Sequence, residues 1–346
     1  MAIDWSDIHS RKVRDAFRVA LDDKELTHQE IVEVLRELLK DSELDGTEIN
    51  DLQKIAKGSA SMPERSKTML LSLAYEAYLY KSRGPIGIYT DRQKFAAGMI
   101  LDFMKRTGSG SFPMLDRDRV GLDLLYRVAN PNVINQGKAG LCGPVGFLYS
   151  VAFDSPVTYA KYAIDLFEKG RAKIGRIEVE PSYDCRHYLP PATVSHGEWL
   201  TAGSLRDSEN FLLDYDDVER SGSTHASEIA RWMSKAGYKD VRSDDNLFSS
   251  RDASDIQMIN GLYNQGYRVI LRVNSKVLKP KEQSEGSWRG NHFVVLRSPI
   301  TVTGNSVKVT VYTWGWGQWN IPGPGTTMTP GGFREHWYGY VAAKPF

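Results

Sequence analysis

The sequence has little cysteine, almost no excess charge and no long apolar run. Two cysteines in 346 residues cannot form a disulfide framework, so Cys142 and Cys185 are expected to be thiols in a reducing compartment. The 44 basic and 43 acidic side chains give a formal net charge of +1, which disfavours nucleic acid as a partner. Apolar stretches such as 69–73 are far shorter than the about 20 residues of a membrane span, so no span is predicted.

The opening segment, 1–7, contains neither the basic part nor the apolar part of a secretory signal. We therefore expect synthesis in the cytoplasm without a signal peptide. Secretion, or injection into a target cell, would have to use machinery that recognises a different feature.

The composition can form a core, and the two halves of the chain differ in character. Hydrophobic residues make up 41% and charged residues 25%, as in globular proteins. Apolar residues at three- and four-residue spacing predict a helical domain over residues 1–110, for delivery, regulation or partner binding. The Gly/Ser stretch at 107–111 marks the predicted boundary. Short helices and β-rich runs then predict an α+β domain over residues 111–346.

Acidic turns precede two of the N-terminal helices. Thr27, with Glu30 three residues later, predicts a capping box. The turn at Asp45 resembles the first half of a calcium-binding loop, but Leu52 stands where such a loop needs a bidentate Glu. We therefore expect helix capping there, and no metal or cofactor in the chain.

The most informative segment surrounds Cys142. A glycine-rich loop runs into this cysteine, and the apolar spacing beyond it predicts a buried helix. Cys142 would then lie at a helix N-terminus, where unpaired N–H groups favour the thiolate over the thiol. Pro144 suits the first turn of such a helix. The pattern therefore indicates a nucleophilic cysteine.

This segment resembles the papain-like cysteine peptidases. In that superfamily a Gln six residues before the nucleophile donates to the oxyanion hole, within a stretch Asn-Gln-Gly-x-x-Gly-x-Cys. The sequence matches this stretch at Asn135, Gln136, Gly137, Gly140 and Cys142. Gly143-Pro144 replaces the aromatic residue that follows the nucleophile in papain. Cys-Gly-Pro is more similar to divergent bacterial members, including secreted toxins and effectors.

The resemblance implies a histidine far downstream, at the start of a sheet strand. His292 fits, because it begins the β-prone run 292–296. The runs 267–273 and 307–312 would flank it in the sheet, and the turn signal Gly304-Asn305 would join 292–296 to 307–312 as antiparallel neighbours. An imidazole with a pKa of about 6.5 can hold a thiolate as an ion pair and then protonate the leaving amine.

The third member of the triad departs from the family's pattern. The resemblance implies an Asn or Asp at the end of the strand after the histidine, before a Trp-Gly pair. Trp314-Gly315 is present, but Thr313 precedes it, and its hydroxyl could accept a hydrogen bond from the imidazole. A backbone carbonyl or a more distant Asp are the alternatives. We expect the tryptophans at 314, 316 and 319 to shield the site or to form a wall for the substrate.

Other residues compete for the two main roles. Cys185 is close to His187 in sequence, in a stretch expected to be a strand, but neither a Gln nor a helix start accompanies this cysteine. His9 and His28 fall in the helical half and are expected on the surface. The other histidines have no motif around them: His196, His225 and His336.

We therefore expect a papain-like cysteine protease domain of the α+β class, preceded by a helical bundle. Cys142 attacks a peptide carbonyl, His292 transfers the proton, and Gln136 with the Cys142 N–H stabilises the oxyanion. The predicted protein is a secreted bacterial effector or toxin, whose partners are a protein substrate, a cognate immunity protein and secretion machinery. Two alternatives stay open. A peptidoglycan amidase or endopeptidase, a deamidase or a transglutaminase would use the same site, and an inert papain-like fold would serve interaction alone.

Overall fold

The computed structural model of the chain describes residues 4–20, 26–59, 62–79, 86–135, 141–210, 224–245, 251–278 and 292–346. In these ranges, helices precede and cover a curled antiparallel sheet, so the predicted α+β class is confirmed at that level. Within the same ranges, none of the helices combines the length and the apolar character needed to cross a bilayer.

Helices dominate the N-terminal region. Their bounds are α1 (Arg11–Ala20), α2 (His28–Leu38), α3 (Gly46–Gly58), α4 (Glu64–Leu79) and α5 (Asp91–Met104), and β1 (Glu43–Leu44) pairs antiparallel with β2 (Ile86–Gly87). Thr27 caps α2 and Asp45 caps α3, each in a reciprocal box with the Glu three residues later. The predicted box at Thr27 is confirmed, and Asp45 has the capping role expected of it.

The middle of the chain surrounds one apolar helix. The further helices are α6 (Arg117–Ala129), α7 (Cys142–Asp154), α8 (Pro156–Lys169), α9 (Tyr183–His187), α10 (His196–Glu198), α11 (Ser204–Asn210), α12 (Ala226–Ala236), α13 (Ala253–Asn264) and α14 (Pro330–Glu335). A small hairpin joins β3 (Ala172–Ile174) to β4 (Ile177–Val179). Residues 143–152 of α7 are all buried, because almost all of the side chains of this helix are apolar.

The main sheet comes last in the chain. Its strands are β5 (Lys239–Asp245), β6 (Arg268–Val273), β7 (His292–Leu296), β8 (Thr301–Thr303), β9 (Ser306–Thr313), β10 (Gly317–Ile321) and β11 (Trp337–Lys344). Their order is β10-β9-β7-β6-β11-β5, and β8 pairs with β9. The predicted antiparallel pairing of β7 with β9 is confirmed. The turn at Gly304-Asn305 joins β8 to β9, not β7 to β9, because the short strand β8 is inserted between them.

The two faces of this sheet contact different cores. Phe293 and Tyr312 belong to a core that also contains α7 and the N-terminal helices. Val294, which follows Phe293, and Val311, which precedes Tyr312, belong to a second core that includes residues of α13 and α14. Side chains alternate across a strand, so the parity of a position tells which core it faces.

The stretch 107–111, where the sequence predicts the domain boundary, lies in the connection between α5 and α6.

Substitution Phe103→Ala should lower the free energy of unfolding by about 3–5 kcal/mol, because it leaves a cavity at a packed junction. Phe103 of α5 is fully buried, and its ring lies edge-on to Phe167 of α8 at 5.1 Å between centroids. Chemical denaturation followed by circular dichroism measures the change. The matched control on the same helix is Phe95→Ala, at a side chain 64% exposed, which should change stability by less than about 0.5 kcal/mol. Equal changes in the two variants would contradict this packing.

Candidate active site around Cys142

Cys142 is the first residue of α7, as the sequence predicts. Leu141 precedes the helix and offers no capping side chain, and its carbonyl accepts the first helical hydrogen bond, from the Val145 N–H at 2.9 Å. Pro144 stands in the first turn, where its missing N–H costs nothing. The thiol is therefore held at the N-terminus of a buried helix.

The protonation state of this thiol differs from the expectation. Burial raises the pKa of Cys142, and this effect exceeds the lowering by the Gly143 N–H and by the charges of Arg206 and Arg272. The helix N-terminus acts with the expected sign, but desolvation is the larger effect. Cys142 is therefore a neutral thiol at neutral pH. Such a nucleophile needs a base that removes its proton during the attack.

Gly143 allows two segments to meet beside the thiol. A Cβ at Gly143 would lie 2.4 Å from Cγ2 and Oγ1 of Thr224, which is closer than real side chains pack. Arg206 donates to the Thr224 hydroxyl at 3.0 Å. The glycine after Cys142 is therefore required by close packing against the residue that precedes His225.

The loop before Cys142 is anchored at its stem. Its predicted oxyanion and glycine positions, Gln136, Gly137 and Gly140, lie outside the described residues. The Asn135 N–H donates to the Glu198 carboxylate at 3.1 Å, and the Tyr312 hydroxyl donates to the Ile134 carbonyl at 2.8 Å. Glu198 also pairs with Arg127 at 2.9 Å, and both side chains are fully buried. Helix and sheet thus fix the point from which the loop begins.

Sequence reasoning did not identify Arg127 and Glu198. The sequence contains one weak indication of the pair, which is that Arg127 is a cation within the otherwise apolar run 124–129. A buried cation requires a buried partner. Which carboxylate supplies it depends on how α6 and α10 come together, and nothing in the local pattern shows this.

The structure brings His292 and Thr313 together. Nε2 of His292 lies 2.8 Å from the Thr313 hydroxyl oxygen, and its ring lies 3.6 Å from that of Trp314, centroid to centroid. Burial lowers the pKa of His292 to about 3, so the imidazole is neutral at neutral pH. The rings of Trp316 and Trp319 contact each other, with their centroids 4.6 Å apart, and Trp316 is partly exposed.

The strand register gives the parity of His292. His292 lies directly opposite Val273, and Val273 and Val294 both face the second core. Alternation therefore gives His292 the parity of the second core, whereas Trp314, the ring that it contacts, belongs to the core that contains α7. Its hydrogen bond is with Thr313, and these described residues form none between the imidazole and the Cys142 thiol.

The competing pair at Cys185 has a different local structure from the one expected. Residues Tyr183–His187 form a short helix rather than a strand, and the ring of His187 stacks on Tyr183. Cys185 is buried, and burial raises its pKa to about 12. It therefore lacks the accessibility and the ionisation of a nucleophile.

The two histidines of the helical half differ in their exposure to solvent. His9 is exposed, as expected. The surface position expected for His28 is wrong: the residue is buried at the start of α2, with Nδ1 3.2 Å from the Ser66 hydroxyl and Nε2 3.3 Å from Asp118. These polar partners compensate for the loss of hydration.

Iodoacetamide should alkylate Cys142 slowly at neutral pH, because only the thiolate reacts and the raised pKa keeps the thiolate scarce. As the pH is raised towards this pKa, the rate should increase about tenfold for each pH unit. Cys185, which is buried and has a pKa of about 12, should react more slowly still. Mass spectrometry of the two cysteine peptides measures both rates against pH. The Cys142→Ser variant isolates the Cys185 signal, and a Cys142 rate already maximal below pH 7 would contradict the neutral thiol.

Comparisons with protein-family models, with curated proteins and with solved structures found no match. The likeness to papain-like peptidases therefore depends on the residues around Cys142 and on the strand that begins at His292. What this site does has to be inferred from its own chemistry.

Proposed function

We propose that the protein is a papain-like cysteine peptidase that hydrolyses a peptide bond of a target protein through a thioester on Cys142. The observation that carries this proposal is the position of Cys142, at the N-terminus of a buried helix that packs on an antiparallel sheet. Arg206 and Arg272 direct positive charge towards the same thiol. Negative charge that develops beside Cys142 is therefore stabilised.

The reaction requires a neutral thiol, a base and oxyanion donors. A neutral imidazole takes the thiol proton as the sulfur bonds to the carbonyl carbon. The oxyanion is bound by the Cys142 N–H and, in the papain-like scheme, by the Gln136 side chain. The imidazolium gives its proton to the departing amine as the C–N bond breaks. Water then cleaves the thioester to a carboxylic acid and restores the thiol.

The resemblance assigns the base to His292, with Thr313 as its hydrogen-bond partner. The depressed pKa of His292 suits a base, because the imidazole is unprotonated at neutral pH. Its ring contacts Trp314, which belongs to the core that contains α7. Nucleophile and base are separate parts of the proposal.

The biological setting belongs to the same proposal. Cys-Gly-Pro at 142–144 is similar to the bacterial toxins and effectors of the superfamily, so the protein acts as a secreted effector with a protein substrate. A cognate immunity protein would protect the producing cell. The raised pKa of Cys142 and the absence of a hydrogen bond from its thiol to His292 favour one rival, an inert papain-like interaction protein.

Expression in bacteria should stop growth for the wild type and for Cys185→Ala, and not for Cys142→Ala, because only Cys142 supplies the nucleophile. Growth curves and proteomic mapping of new protein N-termini in the same cells measure both effects. New termini that need Cys142 support the peptidase. Toxicity that needs Cys142 without new termini would indicate an amidase or deamidase, and toxicity retained by Cys142→Ala would indicate an interaction protein.

A further inference from the structure

We propose that the protein binds an oxyanion, a small carboxylate or phosphate, at the end of α7 far from Cys142. The site lies on the sheet beside Phe153, and Arg297 is its anchor. This inference goes beyond the proposed function and does not depend on it, because no step of it uses the Cys142 thiol. It concerns a group of charged and polar side chains that carries no sequence motif.

A row of polar side chains crosses one end of the sheet. Arg297 directly follows β7, and the register of β6 with β7, continued by two residues, places it opposite Arg268. The Arg297 N–H donates to the Thr310 carbonyl at 2.8 Å, and Thr310 pairs with Asn320 of β10. Directly opposed residues on neighbouring strands lie on the same face. Two arginines, a threonine and an asparagine therefore lie side by side on one face of the sheet.

This row is on the face that α7 covers. Because side chains alternate along a strand, Arg268 shares a face with Ile270 and Arg297 shares one with Val295. Ile270 and Val295 both belong to the core that contains α7. Phe153, the last residue but one of α7, lies against both arginines. The guanidinium carbon is 4.4 Å from the centre of the ring for Arg268 and 4.2 Å for Arg297.

The two cations have one carboxylate between them. Arg268 pairs with Asp154 at 2.5 Å, and Asp154 also accepts the Tyr238 hydroxyl at 2.8 Å. Within the described ranges, the guanidinium of Arg297 forms neither an ion pair nor a hydrogen bond. Like charges directly opposite each other on neighbouring strands repel and destabilise the pairing. A net positive charge therefore remains at Arg297.

The Nε–H of Arg297 indicates the chemistry of the ligand. Nε is buried and has no acceptor in the part of the chain that the structure describes. A buried donor without an acceptor costs free energy. A guanidinium offers Nε and a terminal nitrogen as a planar fork, which matches two oxygens on one carbon or one phosphorus atom. A carboxylate or phosphate in this fork would satisfy the buried donor and reduce the repulsion between Arg297 and Arg268.

The neighbours of Arg297 suit a site that a ligand enters from solvent. The ring of Phe153 is 41% exposed and forms an apolar wall beside the guanidinium. On the other side of Arg297, the Thr310 hydroxyl donates to the Asn320 side-chain oxygen at 2.9 Å. This bond leaves the amide N–H groups of Asn320 as further donors on the same face. A cation, polar donors and an apolar wall are the usual components of a small-molecule site.

Thermal unfolding of the full chain tests the proposal, with inorganic phosphate and acetate as the probes. Each anion replaces chloride at constant ionic strength, and circular dichroism measures Tm. A ligand that binds only the folded protein raises Tm in a saturable way. We expect a rise of about 2 °C when the concentration of phosphate or acetate is about ten times its Kd. The anion with the lower Kd identifies the preferred oxyanion.

Three variants assign the response to Arg297. Arg297→Gln should abolish the rise, because it removes both the charge and the fork. Arg297→Lys keeps the charge without the fork and should raise Kd by about tenfold or more, so it tests the site even if Arg297→Gln does not fold. The matched control is Arg242→Gln. Arg242 also lies over a ring, that of Tyr267 at 5.5 Å, but it donates to Asp240 at 2.9 Å, so its loss should leave the response unchanged.

The outcomes separate a specific site from a general effect of salt. A saturable rise that is weakened or lost in the Arg297 variants and kept in Arg242→Gln supports the oxyanion site. A rise of equal size in the wild type and in the Arg297 variants, a rise that does not saturate, or no rise beyond that in chloride would overturn it. Because the readout is unfolding, none of these results affects the assignment of Cys142.

Discussion

The burial of α7 is the interaction on which the rest of the structure depends. Its side chains from Val145 to Ala152 are buried between the N-terminal helices and the sheet, so one apolar helix joins the two parts of the chain. At its far end Asp154 pairs with Arg268 at 2.5 Å and accepts the Tyr238 hydroxyl at 2.8 Å. Packing and these polar contacts set the depth of the helix and therefore the position of Cys142.

Burial also sets the protonation states of Cys142 and His292. Removing water from the thiol raises its pKa, and removing water from the His292 ring lowers the pKa of that group. Both effects favour the neutral forms, so a stored ion pair of thiolate and imidazolium is disfavoured. Two buried cations near the site have carboxylate partners: Arg127 pairs with Glu198, and Arg272 pairs with Asp245.

Local patterns predicted local structure well. The box at Thr27, the start of α7 at Cys142 and the strand from His292 to Leu296 all follow from side chains within a few residues of one another. The inserted strand β8, the helix around Cys185 and the burial of His28 were not predicted. Each depends on what another segment places beside it, which periodicity does not contain.

The sequence by itself determined the elements: an apolar helix that begins at a cysteine, and β strands whose alternation defines two faces. Only the tertiary structure decided which residues share a face. Strand register aligns Phe293 with Arg272 and, through Gly339, with Asp245 on the face that α7 covers, and a shift of one residue would move them to the other face. That register is set by the packing of both faces against separate cores, which involves residues far apart in the chain.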